Sequence, residues 1–381
     1  MKLAIISHTE HYKTSSGTIV GWGPTINEIN NLTQIFDEIY HVAMLKDGVA
    51  PPSALPYSSD RIHFVQIPNS GGRTIIHKLG ILWKAPKTIS TVFGTIRKVD
   101  VFQFRAPTGI GVYLIPLLLI FTRKKGWFKY AGNWNQSNPP LGYRIQRYCL
   151  KNQSRMVTIN GQWDNQPKHC LTFENPCLTA EDIKGGITIR DDMNFNSPFS
   201  FCFVGRLEKE KGVLRIIEAF SALDEESKRS IHRIHFVGDG KDRETFESIA
   251  TKNNIPAVFH GFLSREQVFD IYGQCHFFLL PSSASEGFPK VIAEAMNFGC
   301  IPLVSNVSSI GQYIHHKENG FIINDLNNND LTRLLNDLLK RSADSLRSLI
   351  KGNSELLNKF TYSYYNRRIA QEVIGSTDHN E

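Results

Sequence analysis

Short apolar runs alternate with segments of helical period along the whole chain of 381 residues. This alternation favours parallel β-sheets that carry helices on both faces. In the first half the pattern predicts strands near residues 3–7, 38–45, 62–66, 101–104 and 126–130. Helices are predicted there near residues 24–36, 74–81, 89–98, 111–121 and 142–151.

The pattern starts again in the second half with the apolar strand FSFCFVG at Phe199–Gly205. Further strands are predicted near residues 232–238, 257–260, 276–281 and 301–305, and helices near 213–223, 241–253, 265–273, 289–298, 330–338 and 343–358. Between Asp182 and Pro198 the chain is rich in Gly, Asp and Asn, which is typical of a linker. We therefore predict an α/β protein of two Rossmann-like, doubly wound parallel-sheet domains facing a cleft, residues 1–190 and 197–361. Ligands of such sheets bind at the carboxyl ends of the strands.

The charge is unevenly divided between these halves. Residues 1–196 hold 22 basic and 13 acidic side chains, whereas residues 197–381 hold 21 and 23. Between Arg61 and Trp163 there are sixteen basic residues and a single acid, Asp100. The first half is therefore expected to meet an anionic partner. Nucleic acid is disfavoured, because the charges are spread over several helices and loops and do not form one recognisable module.

Several classes of protein are excluded by simple features. No two of the six cysteines have C-x-x-C spacing, which argues against a disulfide framework or a structural zinc site. The longest apolar stretch, residues 110–121, is interrupted by Pro116 and is shorter than the ~20 residues that span a bilayer. The N-terminal apolar run is too short for a signal peptide. We expect a cytoplasmic protein, with peripheral contact to the inner face of the plasma membrane as a further expectation.

A first chemical motif is FVGRLEKEKG, Phe203 to Gly212, between a strand and a helix. A loop in this position directs backbone N–H groups and a helix N-terminus at one point, which suits a phosphate group. Arg206 and Lys211 add two cations to that loop. The alternative is that both charges are solvated on a surface loop beside Glu208 and Glu210.

A second motif is PSSASEGFPKVIAEAMNFG, Pro281 to Gly299. Glu286 follows a buried strand, whereas Glu294 lies within the next helix among apolar residues, where an unpaired carboxylate is costly. The two carboxylates can hold different parts of one extended ligand. The alternative for Glu294 is an i,i+4 pair with Lys290, in the weaker Lys-before-Glu orientation.

A weaker signal is the turn FVGDGK around Gly238. The chain contains no G-x-G-x-x-G dinucleotide fingerprint and no D-x-D pair of the kind that holds a metal-bound nucleotide sugar. No cofactor and no metal site are therefore expected.

Taken in this order, these segments resemble the retaining glycosyltransferases of the GT-B fold, in particular family 4, also called glycosyl transferases group 1. The resemblance is strongest over residues 201–324 and rests on FVGRLEKEKG, on FVGDGKDRETFESIA, on the segment with E-x7-E and on ENGFIIN. It implies a nucleotide-sugar donor, with Arg206 and Lys211 on its diphosphate, Glu286 on the transferred sugar and Glu294 on the ribose. The implied catalytic residues are Glu286, Arg206 and Lys211. The implied donor-binding set is Gly205, Arg206, Lys211, Gly238, Gly261, Phe262, Glu286, Gly287, Phe288 and Glu294.

The first half departs more from the family pattern, so its acceptor-side residues are interpreted from the sequence. Gly21 and Gly23 could admit a ligand or simply begin a helix. Arg105 stands after a strand where relatives often show histidines. Asn133 and Trp134 could bind a sugar, or Trp134 could be a buried indole beside a turn. His8 and His11 follow the first strand and are further acceptor-side hypotheses.

The end of the chain, residues 360–374, looks like the final helix that returns to the first domain in this group, so residues 362–381 are assigned to that domain. A frayed tail is the alternative. Residues 73–98 mix basic and apolar side chains, including Lys84 and Trp83, which suits either an anionic membrane interface or an ordinary solvated face.

The resulting hypothesis is a retaining, metal-independent hexosyltransferase of surface polysaccharide synthesis, such as O-antigen or capsule. Its acceptor would be a saccharide or a lipid-linked saccharide. The alternatives are a GT-B-fold sugar-nucleotide epimerase and, from another class, a non-catalytic protein that binds an anionic ligand or nucleic acid.

Overall fold

The computed structural model describes residues 1–70, 80–81, 83–326 and 329–375. The chain divides into two compact units. The first contains residues 1–175 together with the segment from Tyr362 onward, and the second contains Pro176–Thr361. Of the helix predicted near residues 74–81, residues 74–79 lie outside the described part of the chain.

The first unit is built on a nine-stranded sheet. Its strands are β1 (Lys2–Lys13), β2 (Ile19–Trp22), β3 (Glu38–Lys46), β4 (Ala54–Pro56), β5 (Ile62–Ile67), β6 (Val101–Ala106), β7 (Gly126–Tyr130), β8 (Val157–Ile159) and β9 (Cys170–Thr172). The helices that precede the second unit are α1 (Gly23–Leu32), α2 (Ala85–Ile96), α3 (Gly111–Phe121) and α4 (Leu141–Lys151).

The parallel strands of this sheet follow the order β5-β3-β1-β6-β7-β8-β9. The chain order therefore reverses between β1 and β6, as in a Rossmann-like sheet. Strand β1 is longer than predicted, and a bulge between Ile6 and Glu10 separates its two parts. Beyond the bulge β1 pairs with the antiparallel β2, which in turn pairs antiparallel with β4. This antiparallel extension was not predicted.

The second unit is built on a six-stranded parallel sheet in the order β12-β11-β10-β13-β14-β15. Its strands are β10 (Phe199–Val204), β11 (Ile231–Val237), β12 (Ala257–Gly261), β13 (Phe277–Leu280), β14 (Ile301–Ser305) and β15 (Phe321–Ile323). Its helices are α5 (Ala180–Asp192), α6 (Val213–Ser221), α7 (Glu225–Arg229), α8 (Arg243–Lys252), α9 (Arg265–Gln274), α10 (Lys290–Asn297), α11 (Asp330–Leu339), α12 (Ala343–Ile350) and α13 (Ser354–Lys359).

Both sheets have interiors that explain the apolar runs of the sequence. Phe201 and Phe277 stack on neighbouring strands of the second sheet with ring centroids 5.0 Å apart, and both are fully buried. In the first sheet Phe128 packs against Phe102 and Phe104. The prediction of two doubly wound α/β domains is confirmed.

The predicted linker was wrong. Residues 180–192 form α5, which begins with a capping box between Thr179 and Asp182. Gly186 lies against α10, where an added Cβ would meet the Asn297 carbonyl oxygen at 2.3 Å. Gly186, one of the glycines that suggested flexibility, therefore permits close helix packing. The second unit begins about fifteen residues before the predicted boundary at residue 190.

The last described helix is α14 (Tyr362–Arg368), which continues as one π-helical segment, Ile369–Ile374. Asn366 donates a hydrogen bond of 2.8 Å to the carbonyl of Asn31 at the end of α1. Tyr365 packs edge-on against Phe173. The prediction of a final helix that returns to the first unit is thus confirmed. Among the described residues, no helix is long and apolar enough to cross a bilayer.

Candidate functional site

The order of the second sheet places β10 beside β13, at the point where the chain order reverses. Ligands of open α/β sheets bind outside the carboxyl ends of the strands at such a switch point. The two motifs singled out in the sequence are the loops that follow these two strands. The topology therefore brings together segments that lie 75 residues apart in the chain.

The two loops are joined at backbone distance. The Ser283 N–H donates to the Glu210 carbonyl at 2.9 Å. Gly212 has a left-handed φ of +90°, and an added Cβ there would meet the Pro281 carbonyl oxygen at 2.2 Å. Only glycine fits this position, because it supplies both the positive φ and the close approach.

Lys211 and Glu286 form the central contact of the site. The Lys211 Nζ lies 2.5 Å from Glu286 Oε1, with exposed side-chain fractions of 12% and 42%. Lys211 ends a short 3₁₀ turn, Lys209–Lys211, immediately before α6. The half-exposed carboxylate and the nearly buried ammonium place opposite charges side by side at the edge of the sheet.

Arg206 lies in the same loop, and its guanidinium pairs with Glu208 at 2.9 Å on the surface. This is the arrangement that the surface-loop alternative predicts for Arg206, whereas Lys211 turns toward Glu286. The structure therefore joins two of the three predicted catalytic residues directly and holds the third in a separate, exposed ion pair.

Three predicted glycines line the carboxyl ends of the neighbouring strands. Gly238 has φ +122°, and an added Cβ would lie 2.0 Å from the Gly205 carbonyl oxygen. The Gly238 N–H donates to the Gly261 carbonyl at 2.8 Å. Glycine at 238 therefore lets the ends of these strands pack at backbone distance. Phe262, the next residue, is exposed, and its ring is free to lie against a flat ligand.

Glu294 lies in α10 and is half-buried. Burial raises its pKa, while the charges of Arg265 and Lys290 lower it. Lys290 stands one helical turn before Glu294 in α10, and its charge is one of the two that lower this pKa. Gly287 and Phe288 lead into this helix. The Phe288 ring is buried against Tyr313 and Phe360 at 4.9 and 4.8 Å, so only its backbone can serve a ligand.

Two histidines lie beside this edge. The sequence had singled out only His260, because the stretch His260-Gly261-Phe262 is similar to the segment that brackets the nucleobase in the family, and it did not indicate His235. His235 Nδ1 and His260 Nε2 lie 2.9 Å apart, and the two rings are stacked. Burial, together with the charge of His260, lowers the pKa of His235 to about 4. A histidine in each of two successive predicted strands was the signal that could have found the pair.

The predicted acceptor-side residues of the first unit have packing roles. An added Cβ at Gly21 would meet the His11 ring at 2.5 Å, and one at Gly23 would meet the Ser53 carbonyl at 2.6 Å. Both glycines are therefore required by the β1–β2–β4 extension and the start of α1, which favours the structural alternative for them.

Arg105 is an internal residue of β6, whereas it was predicted to follow the strand. Its guanidinium donates to Glu28 at 2.8 Å, and Lys129 reaches the same carboxylate oxygen at 2.7 Å. Glu28 and Lys129 are buried. Arg105 thus belongs to a buried charge cluster, which favours a structural role for it over the predicted acceptor-side role.

Trp134 is only 2% exposed and packs edge-on against Tyr130, so it leaves no free face for a sugar. The buried-indole alternative therefore describes it. Asn133 stabilises the same turn, since its Oδ1 accepts from the Asn135 N–H at 3.0 Å.

His11 belongs to a buried chain of hydrogen bonds whose direction is fixed. Its Nδ1 donates to the Thr9 carbonyl, so its Nε2 must accept from the Tyr57 hydroxyl at 2.9 Å. The Tyr57 oxygen then accepts from His41 Nδ1 at 2.8 Å, and His41 Nε2 accepts from the Ser7 hydroxyl at 2.8 Å. Burial lowers the pKa of His11 to about 4 and that of His41 well below its usual range. His8 lies apart from this chain, 3.3 Å from the Ser70 hydroxyl.

Known proteins with related sequences match part of the chain. Residues 188–356 match the family model described as Glycosyl transferases group 1. The lipopolysaccharide 1,2-N-acetylglucosaminetransferase of Salmonella typhimurium is 24% identical over 182 residues, 45% of this chain and 47% of that protein. A UDP-Gal:alpha-D-GlcNAc-diphosphoundecaprenol alpha-1,3-galactosyltransferase of Escherichia coli is 27% identical over 222 residues, 56% of this chain and 55% of that protein. The chain spans about half the length of these curated relatives.

The fold is shared over nearly the whole chain. The crystal structure of HepE from Anabaena in complex with UDP matches with a TM-score of 0.69 at 14% identity, covering 98% of this chain and 100% of that one. The resemblance found in the sequence motifs is thus confirmed. The chain has the GT-B fold, and its residues 188–356 match the family model of the glycosyl transferases group 1.

Proposed function

We propose that this chain is a retaining glycosyltransferase that moves a hexose from a nucleotide sugar to a saccharide or lipid-linked saccharide in the synthesis of a surface polysaccharide. The observation that carries the proposal is the Lys211–Glu286 pair at the switch point of the second sheet. The relatives named above act on lipopolysaccharide and on a diphosphoundecaprenol-linked sugar, which supports the proposed class of acceptor.

The charges of the site suit the proposed reaction. When a nucleoside diphosphate leaves a sugar, negative charge develops on the leaving oxygen and positive, oxocarbenium-like charge develops on the ring. A cation and a carboxylate fixed side by side stabilise the two ends of the breaking bond. In this proposal Lys211 faces the diphosphate and Glu286 faces the sugar. Arg206 leaves Glu208 to join the phosphates, which its surface exposure allows.

The surrounding residues fit the remaining parts of a donor. The glycine-lined edge at Gly205, Gly238 and Gly261 is closely packed, which holds the backbone groups of the donor site in place. The exposed ring of Phe262 would contact the nucleobase, and Glu294 would accept hydrogen bonds from the ribose hydroxyls. Because two cations serve the diphosphate, the proposed reaction requires no metal ion.

A screen of nucleotide sugars by thermal shift, followed by an acceptor screen with the best donor, tests this proposal. We expect the anomeric carbon of the transferred sugar to keep the configuration that it has in the donor. We also expect transfer to proceed when a chelator is present. A product of inverted configuration would contradict the retaining mechanism. An altered sugar nucleotide formed without any acceptor would indicate the epimerase alternative instead.

A further inference from the structure

Helix α3 has an unusual composition for a helix at the surface of its unit. Its sequence, GVYLIPLLLIF, is apolar on all sides. Leu114, Ile115 and Leu118 are buried in the core of the first unit. The last two residues nevertheless face solvent, with Ile120 72% and Phe121 68% exposed. A helix that is apolar all round is ordinarily covered by protein or lipid.

Helix α4 exposes apolar side chains as well. Leu141 and Tyr148 are 63% and 70% exposed, and Ile145 between them is also exposed. Their spacing places them along one side of the helix, while Gln146 and Leu150 are buried on the other. Large apolar residues that cluster on a surface mark an interaction site.

The two helices are direct neighbours. The Gln146 side chain of α4 accepts from the Thr108 N–H at 3.1 Å and donates to the Thr108 carbonyl at 2.9 Å, just before α3 begins. At the far end, Arg155 donates to the carbonyls of Thr122 and Lys124, just after α3 ends. The exposed side chains of both helices therefore belong to one surface. We call it the α3–α4 face, defined by Ile120, Phe121, Leu141, Ile145 and Tyr148.

The segment of the chain that carries this face has charges of one sign. Residues 101–163 include nine basic side chains and no acid. Several of the nine are already used inside the unit, such as Arg147, which donates to the carbonyls of Trp134 and Gln136. Arg123, two residues after Phe121, and Arg144, within α4, are exposed. Exposed apolar side chains with exposed arginines beside them in the same segment complement a surface that is apolar below and anionic above.

We propose that the α3–α4 face docks the protein on an anionic phospholipid surface, with its apolar side chains at the boundary of the acyl chains and Arg123 and Arg144 among the headgroups. Amphipathic surfaces of this composition bind at such interfaces. A second copy of the chain is a poorer occupant, because the exposed arginines of the two copies would repel each other. The face lies in the first unit and does not depend on the donor chemistry proposed for the second.

Co-sedimentation of the full chain with vesicles tests the proposal. We expect binding to vesicles of phosphatidylcholine mixed with phosphatidylglycerol, and much weaker binding to phosphatidylcholine alone. The Arg123→Ala/Arg144→Ala variant should lose about fivefold in partitioning for each basic residue removed. The Leu141→Ser/Tyr148→Ser variant should lose at least as much, because its two side chains supply apolar area.

Matched variants in the second unit serve as controls. Ile187→Ser removes an exposed apolar residue, and Lys252→Ala/Lys351→Ala removes two exposed cations. Both should bind vesicles like the unchanged protein. Retained thermal stability and nucleotide binding in every variant separate a docking defect from misfolding or from failure of the donor site.

Three results would overturn the proposal. The first is absence of binding to the mixed vesicles, and the second is unchanged binding of the Leu141→Ser/Tyr148→Ser variant. The third is a dimer in solution that this variant dissociates, since that result would assign the face to a second copy of the chain.

Discussion

Lys211 Nζ and Glu286 Oε1 lie 2.5 Å apart although their residues stand 75 positions apart in the chain. The contact exists because β10 and β13 are neighbours at the switch point of the second sheet. Glycine at 212 lets the two following loops meet at backbone distance. The position of the pair is therefore a property of the sheet topology, and its opposite charges suit a bond that breaks between a phosphate and a sugar.

The glycine-lined edge predicts a large penalty for an added methyl group. Gly238→Ala places a Cβ 2.0 Å from the Gly205 carbonyl at a φ of +122°, so backbone must move. We expect a loss of at least about 2 kcal/mol in the free energy of unfolding, measured by urea denaturation. Gly185→Ala is the control, because nothing lies within 4 Å of its added Cβ in α5. A gain of about 0.5–1 kcal/mol is expected there.

The buried hydrogen-bond chain of the first unit predicts that one hydroxyl matters for stability. Tyr57→Phe leaves His11 Nε2 and His41 Nδ1 without their partner. An unpaired buried polar group costs about 1–3 kcal/mol, and this loss should appear in urea denaturation. Tyr148→Phe removes a hydroxyl from an exposed ring and should leave stability nearly unchanged. An equal effect of the two substitutions would show that this hydrogen-bond chain contributes nothing to the free energy of unfolding.

The same histidines predict how stability depends on pH. Burial lowers the pKa of His11 to about 4 in the folded protein, against an ordinary 6.5. Between these values the unfolded chain binds more protons, so stability rises with pH. The contribution of neutral His11 to the free energy of unfolding is complete above about pH 6.5 and is lost as the pH falls toward about 4. It amounts to roughly 3 kcal/mol.

Urea denaturation of His11→Asn across this range measures that contribution. The variant should show a shallower dependence of unfolding free energy on pH than the unchanged protein. His315→Asn, which replaces an exposed histidine, should show the original dependence. Parallel curves for His11→Asn and the unchanged protein would contradict the assignment of His11 as a buried neutral residue.

The second unit was largely predictable because its signals are local. The strand at 301–305 and the helices that begin near 265 and 330 follow directly from apolar periodicity and capping residues. The loops that carry Lys211 and Glu286 were found because parallel strands send their following loops to one edge. The pairing of His235 with His260 was missed, since it depends on the register of two strands.

The first unit was less predictable because its polar residues are interior. Arg105 and Trp134 look like ligand-binding residues in the sequence, yet one is held by Glu28 and the other is packed against Tyr130. Local sequence does not reveal a partner 77 positions away. Gly186 of α5 misled for a related reason, since its role in packing is visible only once Asn297 of α10 is placed against it.

The central claim is tested most directly by the steady-state transfer kinetics of Lys211→Ala and Glu286→Gln with the donor found in the nucleotide-sugar screen. Each should lower kcat/KM by at least about 10²-fold, because each removes a fixed charge from the breaking bond, while the melting temperature stays nearly unchanged. Lys209→Ala and Glu210→Gln alter exposed charges of the same 3₁₀ turn and should retain full activity. Transfer at the unchanged rate by either Lys211→Ala or Glu286→Gln would contradict the account.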